Sequence, residues 1–110
     1  MVKNYTRVNV LLPLKQETLK VINGIIKMFC QDFGGVTHSR TGIPPTFEGL
    51  WFDEGAKRIV ADRIIWLWTD VDLSNGIDIE RYFIKFKHKY ERMLKEKEIW
   101  ITFQNTTRII

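Results

Sequence analysis

The chain has 110 residues, of which 45% are hydrophobic and 27% charged, and its formal net charge is +4. This length suits one domain spanning 1–110 with a core of its own, and this balance excludes a disordered chain. The mild positive charge names no partner, and the single cysteine, Cys30, excludes an internal disulfide.

A lone cysteine suits a reducing compartment. The first residues, Met-Val-Lys-Asn-Tyr-Thr-Arg, hold no apolar signal core, and no run approaches the length needed to span a bilayer. The expectation is a cytoplasmic protein with no membrane contact.

Residues 5–12 alternate, with Val8, Val10 and Leu12 on one side and Arg7, Asn9 and Leu11 on the other. This pattern predicts a first strand with one buried face. Pro13 has no N–H to donate and ends the ladder.

Residues 15–33 take helical spacing. Leu19, Ile22, Ile26, Phe29, Cys30 and Phe33 form an apolar stripe, which predicts a buried, inert Cys30 thiol. Gly34-Gly35 stops the helix. Residues 36–46 are the least regular part, holding His38, Ser39, Arg40 and the pair Pro44-Pro45. Residues 36–40 can begin a strand that the prolines bend or confine to an edge. Residues 47–52 read as strand again, and 53–56 as a turn in which Gly55 is free to take positive φ.

Residues 57–69 return as the central strand. The stretch 62–72, Asp-Arg-Ile-Ile-Trp-Leu-Trp-Thr-Asp-Val-Asp, is rich in β-branched and aromatic residues and closed by aspartates. Ser74 and Asn75 offer cap oxygens to a second helix over 77–95. Its stripe is Ile79, Tyr82, Phe83, Phe86, Tyr90, Met93 and Leu94. Residues 99–103 alternate strictly and predict the last strand.

The order β-α-β-β-α-β predicts an α+β ferredoxin-like plait, a four-stranded antiparallel sheet in strand order 4-1-3-2 with two helices on one face. The motif Phe33-Gly34-Gly35-Val36-Thr37, then Pro44-Pro45, Gly49-Leu50-Trp51 and Glu98-Ile99-Trp100-Ile101-Thr102, resembles small uncharacterised bacterial ferredoxin-like proteins. The resemblance implies the plait and no function.

The helices of a plait cover only one sheet face. The central strand is apolar on both sides, so its phase stays open. If Ile65 and Leu67 face the helices, Trp66 and Trp68 join Trp100 on the open face, and Trp51 can join them. That much apolar surface points to a homodimer formed face to face. The alternatives are a platform for a ligand or nucleic acid, or a different phase that puts two tryptophans in the core.

No catalytic motif rises above chance. Asp62, Asp70 and Asp72 flank the central strand, where carboxylates can hold Mg²⁺, but capping and turn formation account for Asp70 and Asp72 without a metal. His38 and Ser39 are adjacent and point apart on a strand, so they form no nucleophile-base pair. Arg40 with Arg63 can hold an anion. Arg81, Lys85, His88, Arg92 and Lys95 make a basic ridge on the second helix, which reads either as a phosphate contact or as a solvated face.

The reading favoured by these residues is a small, non-catalytic regulatory or interaction module that dimerises through its tryptophan face, with no cofactor. An enzyme or ligand-binding protein would place its site between residues 36–46 and the sheet, lined by His38, Arg40, Arg63 and Trp66. Nucleic acid is the third partner class, with the stacking signature of the RNA-recognition motif absent.

Overall fold

In the computed structural model, which describes residues 1–39, 47–96 and 98–110, the chain is a mixed α+β fold of one antiparallel sheet and two helices. Residues 47–49, 51–53 and 60–62 are described by their backbone alone. The strands are β1 (Val2–Pro13), β2 (Thr37–His38), β3 (Phe47–Asp53), β4 (Arg58–Val71) and β5 (Trp100–Ile109). The helices are α1 (Leu19–Phe33) and α2 (Ile79–Leu94).

The alternation in β1 has the expected effect. Val8, Val10 and Leu12 are fully buried. Their strand pairs with β4 on one side and β5 on the other, both antiparallel. In β4, Ile65 and Leu67 are also fully buried. The open question of phase is thereby settled: Ile65 and Leu67 face the helices, and Trp66 and Trp68 point the other way. Ile22, Ile25 and Phe29 of α1 and Phe83, Phe86, Tyr90 and Leu94 of α2 complete this core. Phe29 sits at its centre, with ring centroids 5.3 Å from Phe86 and 5.8 Å from Phe83.

The sheet order is β2-β4-β1-β5, with β3 also paired to β4. Ile64 pairs with Phe47 of β3 and with Pro13 of β1, so these partners lie on opposite edges of β4. Thr37 and His38 of β2 pair with Trp68 and Leu67, further along the same edge as β3. The order therefore differs from a simple four-strand sheet, because the edge expected to be one strand is two. Pro44-Pro45, between them in sequence, lies outside the described residues.

Several local expectations shift. The first helix does not start at residue 15: Gln16–Thr18 is a 3-10 turn, and the α-helix follows it. The Thr18 hydroxyl ties this entry down, donating to the Pro13 carbonyl at 2.8 Å and accepting from Lys15 N–H at 2.9 Å. The apolar stripe centres on Ile22, Ile25 and Phe29, and Cys30 is exposed, contrary to the buried thiol expected. The reason is angular. Consecutive residues on a helix lie about 100° apart, so the neighbour of an inward Phe29 turns away.

Asp78, and not Ser74 or Asn75, caps α2, its carboxylate accepting from Arg81 N–H at 3.0 Å. Ser74 and Asn75 belong to a separate 3-10 turn that Asp72 opens and Gly76 closes at φ 75°. That glycine conformation keeps the two helical segments apart. Met93 leaves the stripe and is exposed, while Leu94 is buried. In the β3–β4 turn Lys57 takes a positive φ of 52°. The last strand runs to Ile109, well past residue 103. Phe103, opposite the inward Val8, touches Phe83 edge-on at 6.0 Å but stays 46% exposed at the margin of the core.

Candidate functional site: the open sheet face

The face away from the helices is built from the odd residues of β1 and their partners. Cross-strand partners share a face. Leu11 pairs with both Trp66 and Trp100, so these three form one row across the sheet. Asn9 pairs with Trp68 and Thr102, and Arg7 with Asp70 and Gln104, in the next two rows.

The first row is apolar. Trp66 and Trp68 lie against each other, with ring centroids 4.5 Å apart and planes tilted by 40°. Both are half-buried, whereas Trp100 is 65% exposed. The remaining rows are polar and closely bonded. The Trp66 indole N–H donates to Asn9 Oδ1 at 3.0 Å, and Asn9 Nδ2 donates to Gln104 Oε1 at 2.8 Å. One chain of side-chain hydrogen bonds thus crosses all three long strands.

Below it, Asp70 receives a two-pronged grip from Arg7, at 2.9 Å from Nε and 3.1 Å from a terminal nitrogen. Arg108 adds a third bond at 3.0 Å. A fork matched to both carboxylate oxygens gives strong, directional pairing. The Arg7 hydrogen bond, with Arg108 behind it, holds the Asp70 carboxyl below its ordinary value, and Asp70 raises Arg7 in turn. The Arg108 guanidinium also lies 4.6 Å from the Tyr5 ring centre, and Lys3 Nζ lies 5.5 Å from it, within cation–π range. Lys3 pairs with Asp72. Lys3 first, then the Ser74 hydroxyl and N–H, pull the Asp72 carboxyl down to about 2. Both carboxylates are ionised and engaged near neutral pH. This suits them to holding strands together and not to accepting a proton.

A cleft of about 680 Å³ opens beside this network, between the end of α1 and the C-terminal half of β4. Trp68, its strand neighbour Thr37, Asp70, Tyr5 and Arg108 line the strand wall, and Gly34 and Gly35 the other. The Gly35 carbonyl accepts from the Thr69 hydroxyl at 2.6 Å and fixes the second wall to β4. At its far end Tyr82 donates to Asp32 at 2.6 Å. Burial first, and then that carboxylate, push the Tyr82 phenol well above its ordinary value, so it remains a donor.

The residues named from sequence separate as follows. Trp66, Trp68 and Trp100 share the open face. Trp51 lies in β3 opposite Val60, and its side chain is outside the described set. His38 pairs with Leu67, and Arg63 has the same phase as Ile65, so both belong to the helix-bearing face. Both are exposed. They are therefore not gathered with Trp66, and Arg40 lies outside the described residues. The Asp62 side chain does too, while Asp70 serves neither cap nor turn but the arginine pair. Arg81, Lys85, His88, Arg92 and Lys95 are all exposed along α2. Among the described residues, no three His, Cys, Asp or Glu side chains are grouped to hold a metal ion. No described helix is long and apolar enough to cross a membrane.

Sequence reasoning missed the Asn9 and Asp70 networks. Their signal was present in the polar side of β1, where Tyr5, Arg7 and Asn9 alternate with buried apolar residues. No protein family, curated protein or solved structure matches the chain.

Proposed function

We propose that this protein is a ferredoxin-like plait that works in the cytoplasm as a small, non-catalytic interaction module, self-associating through its open sheet face. The plait reading is supported by the strand order. If β2 and β3 count as one divided edge strand, β5-β1-β4 and that edge follow the 4-1-3-2 order.

The observation that carries the interaction reading is Trp100, 65% exposed beside Leu11, Trp66 and Trp68 on a face that neither described helix covers. Each further ~200 Å² of apolar surface removed from water contributes about 5 kcal/mol. Two facing copies cover such an area twice, which offsets a substantial part of the ordering cost of association. The Asn9 and Asp70 networks already pair many of the polar side chains of this face with one another, which lowers the cost of bringing its polar half against another surface.

Light scattering of the wild type beside Trp68→Glu tests this, with circular dichroism confirming that the variant is folded. The expected result is a wild-type mass at a multiple of 13.1 kDa that falls in the variant. A wild type at 13.1 kDa over the accessible concentration range overturns the reading.

A second reading, small-molecule binding, is favoured by the cleft beside Trp68. A screen of small ligands by tryptophan fluorescence tests it. A shift lost in Thr37→Trp, which fills the cleft, supports it, and no shift across the screen counts against it.

A further inference from the structure

We infer that the free edge of β5 is a second docking surface, and that its occupant is the β5 edge of another copy of this chain, antiparallel about a two-fold axis at Gln104. This inference does not rest on the face-to-face reading.

Among the described residues β5 pairs with β1 alone. The direction of its main-chain groups follows from two bonds. Ile110 N–H donates to the Met1 carbonyl at 3.0 Å, and Leu14 N–H donates to the Arg63 carbonyl at 2.9 Å. Bonded pairs alternate along an antiparallel ladder. The even residues of β5 therefore turn their main-chain groups toward β1. Ile101, Phe103, Asn105 and Thr107 turn theirs outward, as a row of unused donors and acceptors.

Sheet edges are ordinarily protected by proline, lysine, a bulge or shortness. This edge has none of them. It is ten residues long, with no proline or glycine and with Arg108 as its one charge. Such an edge is a template for strand addition.

The self-complementary register argues for a second copy over a foreign strand. Opposed residues must share a face, which restricts the register to alternate positions. A two-fold axis at Gln104 sets Trp100 against Arg108 of the partner subunit, Thr102 against Thr106 of the partner subunit, and Gln104 against itself. No like charges meet. The second face of the Arg108 guanidinium, whose first lies over Tyr5, covers the exposed Trp100 ring. The Gln104 amide oxygen accepts from Asn9, and among the described residues its N–H groups have no partner, so they can reach the partner's Gln104. Every outward group from Ile101 to Thr107 gains a bond. The two sheets become one, with both open faces on the same side.

The test is cross-linking in a Cys30→Ser background. Opposed Cα atoms at a non-bonded pair lie about 4.5 Å apart, within the roughly 4.4–6.8 Å that a disulfide spans. Gln104→Cys is expected to form a covalent dimer under mild oxidation, far above an Arg81→Cys control. Adding Asn105→Lys, which puts a charge on the edge, is expected to abolish it. If Gln104→Cys does not fold, Thr102→Cys and Thr106→Cys carry the same test, since only their mixture should cross-link. Gln104→Cys that cross-links no more than the control overturns the proposal, as a foreign strand on this edge would require. Cross-linking that survives Asn105→Lys overturns it as well. Trp68→Glu lies away from β5, so it is expected to leave the cross-link intact even where it lowers the mass.

Discussion

The indole N–H of Trp66 on β4 is bonded at 3.0 Å to the side-chain oxygen of Asn9 on β1, and Asn9 passes the chain on to Gln104 of β5. A largely buried asparagine thus anchors the indole of a tryptophan that lies ring-to-ring with Trp68. Removing a buried partner strands the groups left behind. Asn9→Ala is expected to lower stability by about 1–2 kcal/mol and to change the emission of Trp66. Urea denaturation followed by tryptophan fluorescence measures both. An unchanged midpoint would mean that water replaces the asparagine without loss.

Acid should loosen the same face. Asp70 lies below its ordinary value of 3.8, and Asp72 lies at about 2. A carboxyl held lower in the folded state than in the unfolded one adds stability above the unfolded value, and that stability is lost as pH falls through the folded value. The loss is expected between about pH 4 and about pH 2. Asp70→Asn should be less stable at neutral pH by about 1 kcal/mol, a modest amount because the pairs are partly solvated. Its acid transition should be shallower than that of the wild type. Equal acid slopes for the two proteins would show that Asp70 is no better paired when folded.

Phe29 touches rings from both helices, at 5.8 Å from Phe33 and Phe83 and 5.3 Å from Phe86. It is fully buried. Phe29→Ala is expected to cost about 3–5 kcal/mol, since a cavity adds to the lost transfer energy. Calorimetry of the two proteins gives the value, and a cost under about 1 kcal/mol would mean that the core collapses into the space.

Cys30 should react with a thiol reagent in the native state at a rate close to that of the denatured chain, because its side chain is exposed. A thiol protected until denaturant is added would place it back inside.

Much of the frame was legible. The strict alternation of Val8, Val10 and Leu12 predicts a buried side because a strand has a period of two. The stripe of Phe83, Phe86 and Tyr90 does the same for a helix. What sequence left open was wherever two phases bury equally well. Ile65 with Leu67 and Trp66 with Trp68 are both apolar pairs, and only the rest of the sheet decides between them. Cys30 and Ile25 exchanged places for the same reason. A stripe drawn on one helix has two plausible centres until another element packs on it. The polar networks were least legible, since Asn9, Trp66 and Gln104 come together only once three strands are in register. The divided edge was partly legible, since residues 36–40 and 47–52 read as strand on either side of Pro44-Pro45, but that the first piece is only the two residues of β2 was not.

The first strand has the last strand as its neighbour, and the Asn9–Gln104 bond joins positions 95 apart in sequence. Long-range pairing has a price in time, because a large loop must close before any contact rewards it. During synthesis α1 and the β3–β4 hairpin can form from nearby sequence, while β1 must wait with one side unpartnered until β5 has left the ribosome. For that interval Val8, Val10 and Leu12 lie in a strand with an unprotected edge. More misassembly on rapid expression than under slower translation is the expected consequence of this topology.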